Sequence, residues 1–300
     1  MAYSPFVPLR VFSSFTMLEG AIEPKAIAKA ARERGFPAIA VADRNGLYGV
    51  MAFGDACKAA GIQPIVGALL SVARPGQRLA SGAPLIDWIA LYAQDDAGYN
   101  NLCALVSAAH LGRPVEQEPH VLLSDLAGKT DGLICLTGGG EGALARLLAG
   151  EQKTAADEYV EQLEALFAGR LYVELSRRGD ATEKAAEAAL IELAYARALP
   201  LVATNPANFV DPQFHPAHDA MLCIAQSAYV ESEDRHGGQF LRPARGDPQH
   251  AGDRAALRLH GAEAQTDPAE PCGRPRGRGG AAQGRRPCGA GRTAGALSRP

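Results

Sequence analysis

"GFPAIAVADRNGLYGVMAFGDACKAAGIQPIVGALLSV", residues 35–72, decides the fold. "AIAVAD" (38–43) is a short apolar run ending on an acid, and "PIVGALLSV" (64–72) is a second apolar run. Between them "GVMAFGDACKAAG" (49–61) closes on Gly, the residue that most readily takes the left-handed backbone past a helix end. Strand, helix and strand in that order make a βαβ unit. The alternation continues both ways. Upstream, Leu9–Phe12 precedes "EPKAIAKAARERG" (23–35), with Pro in its first turn and Gly at its end. Downstream, "IDWIALYA" (86–93), "GLICLTG" (132–138), "RLYVELS" (170–176) and "LPLVATN" (199–205) read as strands. Helices are expected over 95–111, 154–169 and 180–198, where apolar residues recur at i, i+3, i+4.

This pattern implies an α/β fold with a largely parallel sheet, and seven strands favour closure into a barrel. Functional groups are then expected at the strand carboxyl ends: Phe12–Ser13, Asp43–Arg44, Leu69, Thr137, Glu174 and Asn205.

Composition sets outer bounds. Hydrophobic residues are 47% and charged residues 21% of 300, enough for a sizeable core. No apolar run approaches the ~20 residues of a membrane span, and "MAYSPFVPLR" lacks the form of a secretory signal. The six cysteines (57, 103, 135, 223, 272, 288) show no CxxC spacing, which favours reduced thiols in a cytoplasmic protein. Charge is uneven: residues 1–235 carry 19 Lys and Arg against 28 Asp and Glu, while 236–300 carry 11 Arg against 5 acids. Residues 236–300 also contain 20 Gly and Pro and no Val, Ile, Met, Tyr, Trp, Lys or Asn. A disordered basic tail is one reading and a nucleic-acid-binding arm another, although the single aromatic, Phe240, is poor material for base stacking.

The 35–72 phrase, with "LRVFSSFTMLEGA" (9–21), "YNNLCALVSAAHL" (99–111), "DGLICLTGG" (131–139), "LPLVATNPANF" (199–209) and "AHDAMLCIA" (217–225), resembles the polymerase-and-histidinol-phosphatase (PHP) domain. More narrowly it resembles the PHP domain that opens bacterial replicative DNA polymerase III α subunits, over about 6–235. The resemblance implies a distorted (β/α)7 barrel over 1–235, followed by the disordered tail 236–300. In active members, His-x-His, Asp-His, Glu and Asp-x-His at successive strand ends hold a cluster of metal ions for phosphoester hydrolysis, which needs many imidazole and carboxylate ligands. Matched onto this sequence, those positions read Arg10 and Phe12, Asp43 and Arg44, Leu69, and Pro206 and Asn208, with Glu19 where Asp is usual. Only Asp43 keeps a ligand type. The resemblance therefore implies no metal and no catalytic residue in this chain. Internal ion pairs are expected instead, Arg10 and Arg44 finding Glu19 and Asp43.

His110, His215 and His218, with Asp219, are too sparse to suggest a rebuilt metal site. "TGGGEGALARLLAG" (137–150) lacks the GK[ST] ending of a phosphate loop and reads as a flexible turn before a helix.

The resemblance further implies a scaffold that docks the proofreading exonuclease subunit and other replicative subunits. Polymerisation, with Mg²⁺ held by palm aspartates, and DNA contact would belong to domains absent from this chain. A free-standing metal-dependent phosphoesterase is the alternative. Ala255–Ala269, back-translated and shifted by one nucleotide, permits "QRCAFMAPKRKPIL", which looks like that family's sequence after the PHP domain. The tail is thus read as an out-of-frame translation beginning between about Arg235 and Arg254.

Overall fold

The structure, a computed structural model, describes residues 6–227. Its strands are β1 (Ala38–Arg44), β2 (Gln63–Arg78), β3 (Pro84–Ala93), β4 (Val121–Leu122), β5 (Leu133–Leu136), β6 (Leu171–Ser176) and β7 (Leu201–Thr204). The helices are α1 (Pro24–Glu33), α2 (Val50–Ala60), α3 (Asp96–Leu111), α4 (Ala143–Ala149), α5 (Lys153–Leu166), α6 (Ala181–Ala196) and α7 (His215–Gln226). Local chemistry sets their limits. Gly61 ends α2 at φ 69°, and the Asp95 and Asp180 carboxylates cap α3 and α6 by accepting from Gly98 N and Thr182 N.

The sheet runs β1-β2-β3-β5-β6-β7, with β4 attached to β2. The N-terminal segment fills the gap between its two ends. On one side Pro8 O and Val11 O accept from Ala40 N and Ala42 N of β1. On the other, Arg10 O accepts from Ala207 N just past β7, and Phe12 N donates to Ala207 O. The seven expected strands are therefore the seven members of a ring, and the fold is the PHP-type distorted barrel.

The sheet is largely parallel, as expected, with one exception: β3 runs antiparallel to both β2 and β5. The link from β2 to β3 is only Leu79–Ala83, where Leu79 N donates to Ala83 O, and so short a connection forces a hairpin rather than a crossover.

The barrel interior is filled by Phe12, Ala40, Ala42, Leu69, Ala90, Tyr92 and Leu136. Alternate side chains point outward, meeting α1 and α2 around Phe36, Ile39 and Phe53, and α3–α6 around Leu70, Leu91, Leu102 and Val173. Cys57, Cys103, Cys135 and Cys223 are free thiols, and burial pushes the Cys57 thiol up to about 11. Among the described residues no helix is long and apolar enough to cross a membrane. The boundary at 235, the tail at 236–300 and Cys272 and Cys288 lie outside the described residues.

Candidate functional site

The strand ends expected to carry function converge at one mouth of the barrel, where two arginines meet three carboxylates. Arg10 and Phe12 alternate on the closing segment, so both side chains enter the barrel. Arg10 is 2% exposed and donates from Nη1 to both oxygens of Glu174, at 3.2 Å each. Its Nη2 donates to Glu141 Oε2 at 2.8 Å. Arg44, at the end of β1, donates from Nε and Nη2 to Glu19 at 2.5 and 2.9 Å, and from Nη2 to Glu141 Oε1 at 2.6 Å. Its guanidinium lies over Trp88 at 4.6 Å and over Phe12 at 5.3 Å, and the Arg10 guanidinium lies 5.8 Å from the Phe12 ring centre.

Asp43 does not pair with an arginine, contrary to the sequence-based expectation. Its carboxylate accepts from Ser13 N at 2.7 Å, Ser13 Oγ at 2.6 Å and Thr16 Oγ1 at 2.7 Å. The reason is geometric: the 13–20 loop folds back over β1, and its hydroxyls reach Asp43 first. Gly20 permits that fold, since a Cβ there would lie 1.9 Å from Ser13 O. Asp43 therefore locks the loop, and the loop in turn presents Glu19 to Arg44.

Glu141 is the residue that sequence reasoning missed. The "TGGGEG" stretch is a tightly packed turn, not a flexible one. A Cβ on Gly138 (φ 87°) would sit 1.9 Å from Trp88 O, and one on Gly142 1.8 Å from Thr137 O. The glycines let the chain hug β3 and deliver Glu141 between the arginines. An acid inside a Gly run directly after a strand was the available signal. Glu174, noted only as a strand end, becomes the main partner of Arg10 and also accepts from Thr204 Oγ1 at 2.5 Å.

The electrostatics follow. Burial pushes the Glu141 carboxyl up, but the Arg44, Arg10 and Arg178 guanidiniums outweigh it and hold the group at about 2. Burial opposes charge on Arg10, yet Glu174 and Glu141 raise its pKa above the ordinary arginine value. Asp43 moves the other way: burial raises it despite the bonds from Ser13 and Thr16.

The remaining candidates lie around this centre. Leu69 is not at a strand end, because β2 continues to Arg78; it is buried inside the barrel opposite Arg44. Pro206 and Asn208 are buried, and Asn208 O accepts from Ala21 N. His218 lies 2.6 Å through Nε2 from Glu19 O, while His110 lies 2.8 Å from Asn45 O. His215 packs against Phe209, and Asp219 is half-buried on α7.

These residues do not fit a cluster of cations. Two fixed positive charges hold the centre, and its buried unpartnered atoms, Arg10 Nε and Arg44 Nη1, are N–H donors. Among the described residues no group of three His, Cys, Asp or Glu is placed to hold a metal ion.

The sequence matches the PHP domain family over residues 8–178. It is 39% identical over 235 residues to the DNA polymerase III subunit alpha of Caulobacter vibrioides, covering 77% of this chain and 20% of that protein. The DNA polymerase III subunit alpha of Escherichia coli K12 is 35% identical over 235 residues, covering 78% and 20%. The chain thus spans about a fifth of the length of these curated relatives. An amidohydrolase from Chromobacterium violaceum superposes with a TM-score of 0.48 at 14% identity, covering 67% of this chain and 87% of its own.

Proposed function

This chain belongs to the PHP domain family, and on that premise we propose that it is a non-catalytic PHP module of a replicative DNA polymerase III α subunit. In this reading it is a cytoplasmic scaffold that docks the proofreading exonuclease and, through it, other replicative subunits. Nucleotidyl transfer with Mg²⁺, and contact with DNA, belong to domains beyond this sequence. The excess of acids over bases in residues 1–235 agrees with that division, since phosphate backbones select basic surfaces.

A single observation carries the non-catalytic reading. At the strand ends where the family resemblance sets metal ligands, the two guanidiniums of Arg10 and Arg44 are tied into Glu19, Glu141 and Glu174. A guanidinium keeps its charge at any ordinary pH and offers no lone pair to a metal or to a proton-transfer step. The chain's own residues therefore hold the mouth shut rather than activate water.

The test has three arms. Purified chain should release no phosphate from phosphomonoesters with added Mn²⁺ or Zn²⁺, and primer extension should be absent. With the exonuclease subunit encoded in the same genome, the chain should co-elute as a stoichiometric complex. Metal-dependent hydrolysis that vanishes in Asp43→Ala would install the phosphoesterase alternative, and failure to bind the exonuclease would remove the scaffold role.

A further inference from the structure

Glu141 sits in the barrel mouth the way a bound ion would. Each of its two oxygens takes a different guanidinium, Oε2 at 2.8 Å from Arg10 Nη2 and Oε1 at 2.6 Å from Arg44 Nη2. Neither arginine needs it for charge balance, because Glu174 already pairs with Arg10 and Glu19 with Arg44. The same two guanidiniums keep two buried donors without partners, Arg10 Nε and Arg44 Nη1. The rings of Phe12 and Trp88 lie beside the guanidiniums, Arg44 being 4.6 Å from Trp88 and 5.3 Å from Phe12, and offer them no hydrogen-bond acceptor. Meanwhile the turn that bears Glu141 is held by backbone bonds, Thr137 N to Tyr172 O, Glu141 N to Gly138 O and Gly142 N to Gly139 O, so its backbone does not depend on the side chain.

We propose that the barrel mouth is an oxyanion site whose occupant is the protein's own Glu141, and that shortening this side chain opens a pocket selective for small monoanionic carboxylates. The preference for one negative charge follows from the surroundings. Glu174 and Glu19 already balance Arg10 and Arg44, and Arg178 adds to the attraction that Glu141 feels, so the mouth matches one negative charge and a second on the guest finds no free cation. Formate and acetate match the lost carboxylate; phosphate carries charge the site cannot match. The site has the reverse polarity of a metal centre, an anion bridging cationic side chains. This inference does not depend on the scaffold reading.

The experiment is thermal unfolding of the full chain, native and Glu141→Ala, in chloride, formate, acetate and phosphate at equal ionic strength and about pH 8, where phosphate is chiefly a dianion. Glu141→Ala should melt lower in chloride and recover by about 3 °C or more, saturably, in formate or acetate. The native chain should move by less than about 1 °C between salts, and adding Arg10→Met to Glu141→Ala should abolish the recovery. A flat response, or equal recovery in the native chain or the double variant, overturns the site. Phosphate outranking acetate overturns the monoanion assignment. Should Glu141→Ala fail to fold in chloride, soluble recovery on refolding into acetate reads the same property, and failure in every salt overturns it.

Discussion

Replacing Arg10 by Met tests how much of the fold rests on the ionic mouth. The side chains of Arg10 and Glu174 are 2% and 1% exposed, so the pair is fully withdrawn from water. Without the arginine, Glu174 retains the hydroxyl of Thr204 as its side-chain partner. Removing one member of a buried pair costs ~3–5 kcal/mol, a large share of the ~5–15 kcal/mol that stabilises a domain. With a urea m-value of ~2–3 kcal/mol per molar, the midpoint should fall by ~1–2.5 M at unchanged slope. The double variant Arg10→Met/Glu174→Gln removes both charges while keeping an acceptor for Thr204. It should recover ~2 kcal/mol or more relative to the sum of the single changes. Equilibrium urea melts followed by tryptophan emission suit the purpose, since Trp88 lies in the mouth. An Arg10→Met loss within ~1 kcal/mol, the range of exposed pairs, or strict additivity in the cycle, would refute the reasoning.

Acid should loosen the native mouth through Glu141. Its pKa is lowered from 4.5 to about 2, so it supplies ~3 kcal/mol above pH ~4.5 that is lost as pH falls toward 2. Asp43, raised by burial, binds its proton more readily in the fold and offsets part of that loss. Native protein should therefore lose more stability between pH 5 and 2.5 than Glu141→Gln, as pH-dependent melts would read; parallel curves would count against the assignment. Gly138→Ala should cost ~3 kcal/mol or more through the clash with Trp88 O, whereas Gly54→Ala, in open space inside α2, should gain ~0.5–1 kcal/mol. A chain ended at residue 235 should keep the urea midpoint of the full chain, and a lower midpoint would show that later residues contribute to the fold.

The architecture was legible because every ring member is an apolar run short enough to be a strand and flanked by turn or helix signals. The direction of β3 was harder to read. Its segment has the same composition whether it returns by a hairpin or a crossover, and only the shortness of Leu79–Ala83 distinguishes them. At the mouth, residue types foretold arginines paired with acids but not which acids. Asp43 and Arg44 are neighbours in sequence, yet successive strand residues point to opposite faces, and the 13–20 loop claims Asp43. Glu141 was marked only by standing in a Gly run after a strand; its partners were not legible, because its placement depends on glycines packed against Trp88 and Thr137.

The ring closes between residues far apart in the chain, Val11 lying beside Ala207. During synthesis the segment Leu9–Phe12 leaves the ribosome about 200 residues before its partner exists, roughly 10–40 s at ~5–20 residues per second. Through that interval the segment has β1 on one side and an unfilled seat on the other, where Ala207 will pair. Arg10 meanwhile waits for Glu141 and then Glu174, the last two of its ion partners to be translated. The seam at Ala207 is thus among the last parts of the domain able to assemble, and a nascent chain halted before residue 207 would present an open sheet edge to chaperones or to other chains.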